Sequence, residues 1–176
     1  MSMRSSRHLG IGIAAVLTGW VAPYSASAEI KLTDFNGIWS GSGKDRNSPL
    51  ESLQQTSCQT AVGADLRRMK SKTVCDGQAG LHKEIVLSIM LDGNRITGDL
   101  SQRTTVRGSD GSERKGSVLG QKVEDTASYQ VRFPGLVPIV ATVGLKLLSP
   151  SSYSMHVTCC LGVTMMDVVF NRTARR

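Results

Sequence analysis

The sequence predicts an all-β protein: an antiparallel up-and-down barrel of about 8–10 short strands behind an N-terminal leader. Three observations predict it. Apolar and polar residues alternate in short runs, with little helical periodicity. Gly, Asn, Asp, Ser and Pro break those runs at close intervals, too close for crossover helices, so neighbouring runs pair antiparallel. Consecutive runs also join by tight turns, which favours closure over an open β-sandwich, because a closed sheet has no unpaired edge.

The first 28 residues stand apart. Arg4 and Arg7 form a positive start, an apolar stretch runs from Leu9 to Val21, Pro23 breaks it, and Ala26-Ser27-Ala28 supplies small residues. That order is the pattern of a secretory signal peptide, with cleavage expected after Ala28. The apolar stretch falls short of the ~20 residues that span a bilayer, and no later segment reaches that length. The expectation is therefore a leader at 1–28 and one barrel domain at 29–176, periplasmic or secreted and not membrane-spanning. A domain of this size buries about 70% of the surface its unfolded chain exposes, enough for a core of its own.

The elements follow in order. GIWSGSG (37–43) is the first strand. SLQQTSCQTAV (52–62) and DLRRMKSKTVCD (65–76) flank a turn at Gly63. HKEIVLSIMLDGNRITGDLSQ (82–102) is the clearest hairpin, turning at Asp92-Gly93-Asn94, whose residues tolerate positive φ. Its first arm alternates Ile85, Leu87, Ile89 and Leu91 on one face. GSDGSERKG (108–116) reads as an exposed loop. SVLGQKV, ASYQVRF, PIVATVGLKLL, SYSMHVT and TMMDVVFNR complete the series, and Pro134 and Pro138 exclude a central strand between them.

Charge and cysteines restrict function. The whole chain carries +7, and loss of the leader leaves +5. That balance suits anionic surfaces, but the basic residues are scattered, and LRRMKSK (66–72) reads as a solvated strand face. Few aromatics are present for base stacking, so nucleic acid is not an expected partner. In an exported chain an even number of cysteines favours disulfides. Cys58 and Cys75 lie on neighbouring strand-like runs and are expected to bridge, stabilising by ~3 kcal/mol. Cys159 and Cys160 are adjacent, so on a strand they point to opposite faces. His156 lies near them, but further ligands at metal spacing are absent, so no metal and no cofactor is expected.

Gly37-Ile38-Trp39 at the start and Arg172 near the end carry a resemblance. An opening G-x-W strand, an up-and-down β pattern and a basic residue on the last strand resemble the calycin group, the lipocalin-like and avidin-like barrels, and also small exported bacterial barrels with a GxWxGxG opening. The resemblance implies that Trp39 closes the base of the barrel, with Arg172 across its indole as a cation–π stack. It also implies a non-enzymatic, monomeric protein that binds a small apolar or amphipathic ligand in its interior. Candidate lining residues are Trp39, Leu87, Ile89, Val131, Val140, Leu145 and Met155, each of which also serves as core. The alternative is a protease inhibitor or an envelope protein-interaction module acting through its surface and a free N-terminal arm, EIKLTDF (29–35). The carboxylates fall mostly in turns. Glu84 and Asp99 sit on opposite arms of the best hairpin, and no base stands near a nucleophile, so no catalytic residue is named.

Overall fold

A computed structural model describes residues 30–107 and 109–174. The expected leader at 1–28 lies outside them. Ten strands follow one another round a single closed barrel: β1 (Gly37–Asp45), β2 (Gln54–Ala64), β3 (Arg68–Gly77), β4 (His82–Asp92), β5 (Arg95–Thr105), β6 (Ser112–Val123), β7 (Thr126–Phe133), β8 (Ile139–Ser149), β9 (Ser152–Cys159) and β10 (Val163–Ala174). Every neighbour pair is antiparallel, and β10 closes onto β1. The only helical pieces among the described residues are short 3-10 turns at Leu32–Phe35 and Gln78–Gly80. This architecture is compatible with a calycin-like fold.

Alternation along each strand sets the wall. Thr56, Cys58, Thr60 and Val62 of β2 are buried inside while their neighbours Gln55, Ser57 and Gln59 are exposed. Val86 and Met90 of β4 lie on the outer face, 42% and 49% exposed, while Leu87 and Ile89 are buried. In LRRMKSK, Met69 points in and Arg68, Lys70 and Lys72 are exposed, as a solvated strand face requires.

Two sequence expectations give way here. The β2–β3 turn lies at residues 65–67 rather than at Gly63, because Asp65 caps it: its Oδ1 accepts from Arg67 N at 2.7 Å and Arg68 N at 2.8 Å. The stretch 108–116 is loop only in part, since β6 begins at Ser112 and pairs with β5 through it. Glu84 and Asp99 do not face each other. Glu84 stands opposite Arg103 and Asp99 opposite Ser88, and Glu84 binds Lys72 at 2.8 Å.

One end of the barrel is closed. Trp39 is fully buried, and the Arg172 guanidinium lies 4.4 Å from its ring centroid. The two residues are also register partners between the first and last strands. The indole Nε1–H donates to Phe35 O at 2.7 Å, and Arg172 Nη2 donates to Asp34 O. Residues 30–36 are thus the floor of the barrel and not a free arm. Ile30, Leu32 and Phe35 are buried, Ile30 N donates to Glu124 O at 2.9 Å, and Asn36 Nδ2 donates to Ala64 O at 2.8 Å. Tyr153 packs edge-on against Phe35 and Trp39 and stacks on Phe170 at 4.8 Å. Gly41 makes room for this: a Cβ there would stand 2.6 Å from the Phe170 ring.

Cys58 and Cys75 form the expected disulfide, as directly opposed residues of β2 and β3.

Replacing Arg172 with Met should lower stability by about 1–3 kcal/mol, the sum of a desolvated cation–π contact and a charged hydrogen bond. Urea unfolding should show a lower midpoint at unchanged slope, and Arg172→Lys should recover only part of the loss.

Candidate functional site

The opposite end is open. Above the aromatic floor, β4, β5, β7, β8 and β9 contribute a ring of inward side chains, and these surround a cavity of about 170 Å³. Leu87, Val131, Val143, Met155 and Val157 form its apolar wall, with Tyr129 reaching in from β7. Burial raises the Tyr129 phenol well above its ordinary value, so it stays neutral. A second void of about 30 Å³ continues below it, against Leu145 and Tyr153. A larger open depression of about 690 Å³ lies on the outer wall beside Val86, Lys115 and Arg132, under the β7–β8 loop.

Polar groups gather at the rim. Asp45 ends β1 and Lys83 begins β4, and both side chains are almost wholly buried. Lys83 Nζ donates to Asp45 Oδ1 at 2.5 Å and to Arg46 O at 2.7 Å. Burial pushes the Asp45 carboxyl above its usual 3.8, while the Lys83 ammonium and their hydrogen bond pull it back. The contact therefore clips the start of the β1–β2 loop onto β4. Arg46 continues the work inside that loop, donating to Glu51 O at 2.9 Å. Asn47 and Pro49 of the same loop, with Gln102 and Arg114, complete the rim.

The expected lining residues divide. Leu87, Val131 and Met155 line the cavity, and Leu145 lines the small void beneath it. Ile89 is buried in the core. Trp39 belongs to the floor and lines neither void. Val140 does not face the interior: it pairs with Arg132 on the outer wall, while Ala141 pairs with Val131 within. A strand's side chains alternate, so choosing Val140 rather than Ala141 moves the selection by one position and onto the wrong face.

The charged rim was missed, although its signal is present. Lys83 lies two residues before Ile85 on the face that carries Leu87 and Ile89, and Asp45 shares the parity of Trp39. An isolated charge on an apolar face suggests a buried pair, but only the barrel brings strands 38 residues apart in sequence together. Cys159 and Cys160 both remain thiols, Cys159 buried and Cys160 exposed. His156 is on the outer wall opposite Asp167, 3.9 Å away. Among the described residues no helix is long and apolar enough to cross a membrane. Compared with known proteins, the chain matches no family model and no curated protein.

Lys83→Met should leave the Asp45 carboxylate buried without its cation and cost about 3–5 kcal/mol. The double variant with Asp45→Leu should be less destabilised than Lys83→Met alone, measured by urea unfolding of both.

Proposed function

We propose that the chain is an exported, calycin-like binding protein that holds a small amphipathic molecule in the open end of its barrel. The observation that carries this reading is the cavity of about 170 Å³ above a floor that seals the other end. An apolar cavity of about 150 Å³ is enough to take up a benzene ring. The apolar part of the ligand would rest on Leu87, Val131, Val143 and Met155, and its polar part would meet Asp45, Lys83 and Arg114 at the rim. Barrels of about this size either fill their interior or leave room for one small ligand. Here the lower half is filled and the upper half is not.

Other features support export and a monomeric state. A Cys58–Cys75 bridge is stable where thiols are oxidised. The outer wall exposes Arg68, Lys70, Lys72 and Arg103, unlike the apolar band of a membrane barrel. A closed wall offers no edge for pairing with a second copy. The protein acts in this reading by binding, without catalysis or cofactor.

A second reading, an inhibitor or envelope interaction protein, draws on the β7–β8 loop, where Leu136 and Val137 are fully or largely exposed. Its version through a free N-terminal arm loses its basis, because residues 30–36 form the floor.

The test is thermal unfolding of the purified protein with single-ring amphiphiles: phenol, benzylamine and benzoate. At least one should raise the melting temperature saturably, by mass action on the folded state, and Val143→Trp, which fills the cavity, should abolish the rise. No saturable shift with any of the three, or an equal shift in Val143→Trp, would count against the cavity as a binding site. Separately, the mass of the protein recovered from the cell envelope should correspond to a chain beginning at Glu29; an intact leader would count against export.

A further inference from the structure

Five sulfur-bearing side chains line the mouth cavity: Met155, Cys159, Cys160, Met165 and Met166. Regular strands would not bring them together. Cys159 and Cys160 are adjacent, as are Met165 and Met166, and adjacent residues on a strand face opposite ways. Two local irregularities override that alternation.

The first is the β9–β10 turn. Cys160 and Leu161 take left-handed backbone conformations, φ 44° and 65°, although neither is glycine. Such conformations cost free energy in an L-residue and are concentrated at functional positions. Here the turn folds Cys160 back, so that it lines the same cavity as Cys159. The second is an irregularity in β10. The register with β9 shifts between Thr164 and Met166, leaving Met165 as an extra residue, and a bulge of this kind re-aims a side chain. Both methionines then line the cavity.

We infer that the β9–β10 side of the barrel mouth is a binding site for a soft monovalent cation, Cu(I) or its analogue Ag(I), with Cys159 and Cys160 as ligands and thioether support from Met165 and Met166. Thiolate and thioether sulfur together select Cu(I) over harder ions. Each ligating thiol gives its proton to solvent, and no electrons move. The ion would replace those protons, as a coordinating metal does. Two thiolates and one Cu(I) carry a net negative charge, and a cation lies on the neighbouring loop: Arg46 N donates to Met165 O at 3.0 Å, and its guanidinium Nη1 donates to Glu51 O at 2.9 Å. Among the described residues its buried Nε donates to no acceptor. The inference shares its cavity with the organic-ligand reading but rests on Cys159, Cys160, Met165 and Met166, which that reading does not use.

The experiment titrates the exported chain, with its Cys58–Cys75 bridge intact, with Cu(I) under anaerobic conditions against a chromophoric Cu(I) chelator. One Cu(I) per chain and an ultraviolet thiolate-to-metal band are expected. Cys159→Ser with Cys160→Ser should weaken binding by more than about 100-fold, since even outer-shell partners of a metal are worth roughly 10–100-fold. Met165→Leu with Met166→Leu conserves volume and keeps the fold, and should weaken Cu(I) about tenfold. Equal Cu(I) binding by the serine variant, or by the leucine variant, would overturn the site. So would tighter binding of Zn(II) than of Cu(I), or a Cys159–Cys160 disulfide in the exported protein that leaves no thiol to titrate.

Discussion

The contact between Trp39 and Arg172 is where the chain's beginning meets its end. A sheet of ten antiparallel strands has two edges, and each edge is a row of unpaired backbone groups. Pairing β1 with β10 removes both at once. The register of that last pairing is the least local in the molecule, running from Ile38 opposite Ala174 to Asp45 opposite Met166. The indole and the guanidinium are opposite one another across this seam. They also hold the N-terminal turn, because each donates a hydrogen bond to a backbone carbonyl of residues 34–35. Seam and floor are therefore fixed by the same two side chains.

That arrangement decides where the interior is full. Trp39, Phe35, Tyr153 and Phe170 make one aromatic cluster on the floor, with Gly41 giving Phe170 its space. The chain has few aromatic residues; four of them pack at one end, and at the other Tyr129 and Phe133 stand among mostly smaller side chains. Val131, Ala141, Val143 and Val157 cannot meet across the barrel as rings would, and a cavity of about 170 Å³ results. The buried Lys83–Asp45 pair sits at this roomier end, where its desolvation is offset by a short charged hydrogen bond and by Arg46 O. It fixes the β1–β2 loop at the rim without occupying the space beneath.

Much of this was legible in the residues. Alternation gave the strands because a wall with one wet face imposes a period of two. Trp39 and Arg172 could be paired because the opening G-x-W strand and the basic residue on the last strand resemble calycin barrels, in which an arginine lies over the indole. The Cys58–Cys75 bridge followed from two neighbouring runs. What escaped reading lay where alternation fails or where register matters. Val140 was one residue from the inner face. Cys160 and Met165 reach the cavity only because a left-handed turn and a register shift break the period locally. Asp45 and Lys83 are separately unremarkable, and their meaning comes from a pairing of distant strands.

The sequence by itself determined the type of structure: strand positions, most of the turn chemistry and the disulfide. These depend on local backbone preference and on a two-residue period that each segment carries within itself. The tertiary structure alone decided which end is sealed, how much room remains at the other, and which polar and sulfur groups surround it. Those depend on barrel closure and strand register, and register is the joint property of all ten strands.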